Sequence, residues 1–210
     1  MTQGVYFITE MFEEKLATYT GAKYVVAIDN CSNAIFLSLK YEGIVNKIVT
    51  IPSRTYPSVP CAILHAGGIA NFRPTKGVTL KGEYDLEGTR TVDSALRFTH
   101  QMYIPGRFQC LSFTGPYKHL KLGKGGAILT DDYKAYLWFK RARFSGRREC
   151  SYHTDNFDEL GWNMYMMPEI ATRGILLMEQ FYNVDGSPRT NEDIELPYPD
   201  LSKFPIYNGR

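Results

Sequence analysis

YVVAIDNCSNAIFLSLKYEG, residues 24–43, decides the fold. Its first five residues form a short β-branched run, which is typical of a buried strand. The polar residues 29–33 then make a turn. Apolar residues at helical spacing follow up to Gly43, where a helix would stop. Strand, polar turn and helix in this order make one βα unit, the building block of α/β proteins.

Similar signals recur along the chain. They predict further strands at residues 47–51, 69–72, 91–93, 109–113 and 126–130, and helices at 12–19, 59–66, 133–144 and 168–182. Glycines punctuate residues 73–89, which favours a hairpin there rather than a helix. Strands that alternate with helices predict an α/β fold, a three-layer α/β/α sandwich with a mostly parallel central sheet. Four prolines after Asn183 predict an extended, Pro-rich C-terminal tail over residues 183–210.

Composition narrows the class of protein. The 210 residues are 44% apolar and 22% charged, as in a globular protein with a core, and the net charge is +2. This balance gives no reason to expect nucleic acid or a membrane as a partner. The four cysteines form no CxxC pair, so neither a disulfide scaffold nor a metal site is expected. The acidic start does not resemble a signal peptide, and we expect a cytoplasmic protein.

SFTGPYKHLKLGKGGAILTDD, residues 112–132, carries the most specific motif. A Ser-Phe strand end precedes Lys118, and a Gly-Lys-Gly-Gly run leads into the next strand. This stretch resembles the lysine loop of the DegT/DnrJ/EryC1/StrS family of sugar aminotransferases, which depend on pyridoxal 5'-phosphate (PLP). Residues 12–39, 51–68 and 160–180 are similar to three further blocks of the family, in the same order. Four collinear blocks are far more specific than one motif.

The resemblance implies a fold-type-I large domain of reduced size, over residues 1–182. In such a site Lys118 would carry PLP as a Schiff base and then shuttle a proton, and Asp93 would hold the proton of the pyridine nitrogen. Cys31 and Ser32 stand where relatives bind the cofactor phosphate, at a turn that opens a helix and therefore attracts anions. Ser112 would be a second phosphate ligand, and Tyr56 would stack on the cofactor ring.

The resemblance also implies a homodimer with shared active sites. Asn163 corresponds to a family residue that reaches the cofactor phosphate of the neighbouring subunit. The small-molecule substrates would be an amino acid donor, with glutamate expected, and a keto-sugar nucleotide acceptor.

The chain departs from the family pattern in three respects. Most of the C-terminal domain is missing, together with a segment before Asp93. Leu96 replaces a Gln that usually contacts the cofactor, and Ser112 is one residue further from Lys118 than is usual. These departures leave two alternatives open. The chain could be a catalytically reduced protein that binds PLP or a sugar nucleotide, or it could perform a different PLP reaction, such as that of an epimerase or a dehydratase.

Each residue also has a simpler interpretation. Lys118 would be an ordinary surface lysine and Tyr56 a core tyrosine, and either Ser32 or Asn30 would be a helix cap. Asp93 would cap a helix that starts at the following Ser-Ala-Leu. The arginines at positions 141, 143, 147 and 148 would be a solvated face rather than a binding site.

Overall fold

The computed structural model describes residues 6–75 and 77–207. The helices are α1 (Phe7–Thr20), α2 (Cys31–Glu42), α3 (Ser58–His65), α4 (Tyr133–Ala142) and α5 (Pro168–Met178). The strands are β1 (Tyr24–Ile28), β2 (Ile48–Pro52), β3 (Ile69–Arg73), β4 (Leu80–Asp85), β5 (Thr91–Leu96), β6 (Phe108–Ser112), β7 (Gly126–Thr130) and β8 (Glu195–Leu196). Short 3-10 helices span Glu179–Phe181, Leu201–Lys203 and Pro205–Tyr207.

Glycines end the first two helices, as the sequence predicts. Gly21 follows α1 with φ of 78° and Gly43 follows α2 with φ of 61°, and both lie in the left-handed region. A residue with a side chain adopts this conformation at a cost, so glycine is favoured after the last helical turn. These stops hold α1 and α2 to the lengths that bury their apolar faces.

Two apolar cores lie on opposite faces of the main sheet. On β1, Val26 and Ile28 belong to a cluster that includes α2, α3 and α4. Val25 and Ala27, on the other face, pack with residues of α1 and α5. Alternate residues of a strand point to opposite faces, so the sheet is covered by helices on both sides. The predicted α/β class and the three-layer α/β/α sandwich are therefore confirmed.

The predicted mostly parallel sheet is wrong. Six strands form one mixed sheet in the order β1-β7-β6-β5-β4-β8, and only the β5–β6 pair in it is parallel. β2 and β3 form a separate parallel pair. No helix lies between β4 and β5 or between β6 and β7. β4 and β5 are joined by the short loop 86–90, which allows an antiparallel pair. The connection over residues 97–107 also has no helix, yet it is long enough for β5 and β6 to pair parallel.

The segment after residue 182 adds a short strand, β8, to the edge of the main sheet. β8 pairs with β4 through Leu196 and Glu195, and the two last 3-10 helices follow it. The boundary between a cofactor domain and a tail at residues 182 and 183 stays a prediction.

A buried ion pair joins α1, β1 and the end of α4. Glu13 is only 5% exposed and Arg143 only 3% exposed, although both are charged. One carboxylate oxygen of Glu13 accepts hydrogen bonds from the Arg143 guanidinium and, at 2.8 Å, from the Ala27 N–H. Arg143 also donates to the Ala27 carbonyl oxygen at 2.6 Å. Arg143 is thus a structural residue rather than part of a solvated face.

We predict that Glu13→Gln destabilises the protein by on the order of 3 kcal/mol, because it removes the carboxylate that is hydrogen-bonded to the buried Arg143. The remaining carboxylate partner, Glu149, is partly exposed and lies 3.7 Å away. Urea denaturation followed by circular dichroism measures the change. Glu14→Gln is the matched control, since Glu14 is the next residue of the same helix and is exposed. Its expected effect is within about 0.5 kcal/mol. Equal effects of the two variants would refute the structural role of the ion pair.

Candidate active site

One edge of the main sheet collects most of the residues that the sequence singles out. Ile28, the last residue of β1, and Ser112, the last of β6, both lie opposite Gly126 at the start of β7. β5 runs parallel to β6, with Asp93 opposite Cys110. The carboxyl ends of β1, β5 and β6 therefore meet at one edge, where α/β sheets commonly bind ligands.

Gly126 lets this edge close. A Cβ atom at this position would lie 2.6 Å from the Asn30 carbonyl carbon and from the Cys31 nitrogen, and 2.7 Å from the Leu111 carbonyl oxygen. All three are backbone atoms, so no rotation of a side chain could make room. The first turn of α2 therefore packs directly on the strand ends.

The first turn of α2 presents N–H groups and hydroxyls at this edge. Asn30 caps the helix, because its side-chain oxygen accepts from the Asn33 N–H at 2.9 Å. Ser32 does not cap α2; its hydroxyl lies 2.5 Å from that of Ser58, in the first turn of α3. Two helix starts and two hydroxyls thus meet beside the sheet edge, a chemistry that suits an anion.

Asp93 is a buried carboxylate at the centre of the site. It is 5% exposed, and its two oxygens accept from the Ala95 N–H at 2.9 Å and the Tyr84 hydroxyl at 2.8 Å. Burial raises the pKa of Asp93, whereas these hydrogen bonds and nearby Lys118 oppose the rise. β5 continues past Asp93 to Leu96 and no helix follows, so neither the predicted strand end nor the helix-cap interpretation holds.

Lys118 lies in the same cluster. Its ammonium donates to the Ala95 carbonyl oxygen at 2.7 Å, two residues beyond Asp93. Burial lowers the pKa of Lys118, and the nearby Cys31 and Asp93 counteract the shift. The lowered pKa raises the fraction of free amine, which is the nucleophilic form. Lys118 is therefore not one more solvent-exposed lysine.

Cys31, Asp93 and Lys118 interact electrostatically with one another, so the structure brings these three predicted residues together. Cys31 is 8% exposed, and burial and then Asp93 raise the pKa of its thiol. It therefore behaves as a small neutral group beneath the α2 turn. Ser112 reaches the same edge at the end of β6, and the N–H of Thr114 approaches its hydroxyl at 3.5 Å.

Tyr56 and Asn163 lie further out. Tyr56 is 56% exposed at the start of α3, so it is not a core tyrosine; its ring is available to a ligand. Asn163 is exposed and forms a β-bridge with Phe144. Its contact with a neighbouring subunit stays a prediction.

Three residues of the site escape prediction from sequence. The Tyr84 hydroxyl, already bonded to Asp93, also lies 2.6 Å from the Thr55 hydroxyl, and both side chains are buried. Tyr198, from the C-terminal segment, packs against Tyr56 with ring centroids 6.0 Å apart. Thr55 can be predicted from the sequence, because it directly precedes Tyr56 in a block that resembles the family. Tyr84 and Tyr198 depend on strand register and chain path.

Comparison with known proteins agrees with this arrangement. Residues 2–81 match the profile of the DegT/DnrJ/EryC1/StrS aminotransferase family. The match includes Cys31, Ser32 and Tyr56, whereas Asp93, Ser112, Lys118 and Asn163 lie beyond it. Over 65 residues the chain is 37% identical to the spore coat polysaccharide biosynthesis protein SpsC of Bacillus subtilis. This stretch covers 30% of the chain and 16% of SpsC. The family resemblance is thus confirmed for the N-terminal part.

Solved structures extend the likeness to most of the fold. Helicobacter pylori PseC, an aminotransferase involved in the biosynthesis of pseudoaminic acid, superposes with a TM-score of 0.66 at 15% identity. The match covers 82% of this chain and 57% of PseC. S. venezuelae DesV, solved in complex with a ketimine intermediate, gives a TM-score of 0.65 at 20% identity and covers 83% and 57%. The chain spans little more than half the length of these structures and shares their fold.

The described residues show neither a membrane-spanning helix nor a cluster of metal ligands. Within residues 6–75 and 77–207, no helix is long and apolar enough to cross a membrane. The same residues contain no cluster of three or more His, Cys, Asp or Glu side chains that could hold a metal ion.

We predict that Asp93→Asn changes how stability depends on pH. Because the pKa of Asp93 is raised above its ordinary value of 3.8, the folded chain binds this proton more tightly than the unfolded chain. Wild type should therefore lose stability relative to Asp93→Asn as the pH rises from 3.8 through the raised pKa. Thermal melts of both proteins across this interval measure the difference.

Asp185→Asn is a control of opposite sign. Hydrogen bonds from Ser187 lower the pKa of Asp185, so wild type should gain stability relative to this variant as the pH rises. A difference between wild type and Asp93→Asn that stays constant with pH would contradict the burial of an ionisable Asp93.

Proposed function

We propose that this chain binds PLP covalently through Lys118 and moves an amino group from an amino acid to a carbonyl acceptor. The observation that carries the proposal is the convergence of a half-buried lysine, a buried carboxylate and a helix start at one sheet edge. The fold shared with aminotransferases supports it. The family match supports it for the phosphate turn.

The residues of the site fit the three parts of PLP. The α2 turn, with its N–H groups and the Ser32 hydroxyl, suits the phosphate, and Ser112 adds a hydroxyl from β6. Asp93 suits the pyridine nitrogen, since a buried carboxylate gains from a protonated partner that replaces lost solvation. Lys118 suits the aldehyde, because its lowered pKa supplies the free amine. Tyr56, whose ring is 56% exposed, would stack on the cofactor ring.

When bound, PLP acts as an electron sink that stabilises negative charge on the substrate carbon. The chain supplies the proton transfers. With an amino acid in the site, Nζ of the free Lys118 amine would take the proton from the substrate carbon and deliver it to the cofactor carbon. Its bond to the Ala95 carbonyl oxygen keeps Nζ over β5, beside Asp93. Asp93 keeps the ring protonated throughout, held in orientation by Tyr84 and the Ala95 N–H.

The proposal also names an amino donor and an acceptor. Glutamate is the proposed donor and a keto-sugar nucleotide the proposed acceptor. PseC is involved in the biosynthesis of pseudoaminic acid. SpsC is a polysaccharide biosynthesis protein, which supports a sugar acceptor. Residues 1–182 would form the PLP-binding domain and residues 183–210 its tail, and a cytoplasmic location stays a prediction.

Borohydride reduction tests the cofactor site. We predict that wild type incubated with PLP and then reduced carries one PLP group on Lys118, located by peptide mass spectrometry. Lys118→Ala should lose this adduct. Lys121→Ala is the matched control, because Lys121 is an exposed lysine of the same loop, and it should keep the adduct. A wild type without an adduct on Lys118 would exclude the proposal.

Glutamate then tests the reaction. We predict that unreduced PLP-bound protein converts glutamate to 2-oxoglutarate and leaves pyridoxamine phosphate, since the proposed first half of the reaction needs no acceptor. Mass spectrometry detects both products. An adduct on Lys118 without either product would instead favour the alternatives, a chain that binds PLP without turnover or one that performs a PLP reaction such as epimerisation.

Oligomeric state tests the shared site. We predict a homodimer in which Asn163 contributes to the partner's phosphate site, as its exposed position allows. Light scattering should give twice the mass of the chain, and Asn163→Ala should weaken PLP binding without changing that mass. A monomeric wild type, or an Asn163→Ala variant that binds PLP as tightly as wild type, would rule out the shared site.

A further inference from the structure

Residues 192–201, which we call the strap, run across the candidate site of the same chain. The strap is attached first beside the end of β5. The Ile194 N–H donates to the Leu96 carbonyl oxygen at 2.9 Å, and Arg97 donates to both oxygens of Asp193 at 3.1 and 3.0 Å. His119, next to Lys118, lies 2.8 Å from the Glu192 carbonyl oxygen. One end of the strap is thus held beside the lysine loop.

The other end of the strap is attached just after β2. The Leu201 N–H donates to the Ser53 carbonyl oxygen at 2.7 Å, and the Leu201 side chain is 2% exposed. Arg54 donates to the Tyr198 carbonyl oxygen at 3.1 Å and forms a β-bridge with Asp200. The strap therefore spans from the end of β5 to the end of β2, with the site between these attachments.

Tyr198 is the residue that the strap places at the site. Its ring packs against that of Tyr56, with the centroids 6.0 Å apart and the planes 69° to each other. Burial, the Asp93 carboxylate, Tyr56 and Cys31 together raise the pKa of the phenol to about 12. Tyr198 therefore stays neutral, and it interacts electrostatically with the same Asp93 and Cys31 that act on Lys118.

Two prolines stiffen this crossing. Pro197 and Pro199 flank Tyr198 and fix their own φ angles, so the unfolded strap has fewer conformations to lose. Six-atom rings occupy similar volumes, and the space beside Asp93 and Tyr56 is also the space proposed for the pyridine ring. The phenol and the pyridine ring cannot both fill it.

We infer that the strap closes this chain's own site and that Tyr198 lies in the place of the cofactor ring, so that PLP binds only when the strap moves. The inference rests on the proposed function for the identity of the ring. It assigns the C-terminal segment a regulatory contact within one chain, where it controls cofactor loading.

Acylation of Lys118 tests the strap without any cofactor. Apo protein is treated briefly with an amine-acylating reagent, and peptide mass spectrometry compares Lys118 with Lys121 and Lys124, which are exposed. Tyr198→Ala should raise acylation of Lys118 several-fold relative to these two lysines. Tyr198→Phe, which keeps the ring, should resemble wild type. Tyr207→Ala is the matched control, since Tyr207 packs on Phe72 further along the tail.

The rate of PLP loading is the second measurement. Tyr198→Ala should form the borohydride-reducible adduct several-fold faster than wild type, and Tyr207→Ala at the wild-type rate. Asp193→Asn weakens the distant attachment to Arg97 and should also speed loading, which keeps the inference testable if Tyr198→Ala fails to fold.

The outcomes separate the inference from the proposed function. Unchanged acylation of Lys118 in the strap variants, or PLP loading that is unchanged or slower, would overturn the inference while the adduct itself upholds the function. Slower loading would make Tyr198 a wall of the binding site. Faster acylation with no PLP adduct in any protein would uphold the strap as a cover and overturn its competition with PLP, together with the proposed function.

Discussion

The contact between Gly126 and the first turn of α2 is the constraint on which the site depends. Since backbone atoms of Asn30, Cys31 and Leu111 surround the missing Cβ, this edge can close only around glycine. The same contact sets the α2 start beside the ends of β5 and β6. The loop from β6 to β7, which carries Lys118, also ends at Gly126.

Burial of polar groups is the second theme of the structure. Glu13 and Arg143 compensate each other inside the helix layer, where the Ala27 peptide completes their hydrogen bonds. Asp93 lacks such a direct ionic partner within hydrogen-bond distance in the described chain and relies on neutral donors from Tyr84 and Ala95. The first arrangement is a complete structural unit. The second leaves a buried carboxylate with capacity for a cationic ligand, which is the basis of the role proposed for Asp93.

Local patterns predict most of the elements, because strand and helix periodicity are local properties. β1 and β3 lie where the sequence places them, and Gly21 and Gly43 end their helices as expected. Strand direction was mispredicted because it depends on the path of the connecting loops. Residues 86–90 join an antiparallel pair and residues 97–107 a parallel pair, and neither connection contains a helix. Tyr84 was missed because its register against Asp93 follows an irregularity between Gly82 and Tyr84. Tyr198 was missed because a Pro-rich segment carries no signal of the surface on which it folds.

The attachment of the strap at both ends has a kinetic consequence. Because the strap is tethered within the chain, its effective concentration at the site is roughly in the millimolar range. Dilution of the protein does not lower this concentration, so release of the strap is a unimolecular event. At saturating cofactor, the rate of loading would then reach a plateau equal to the opening rate, which belongs to the protein and not to the ligand.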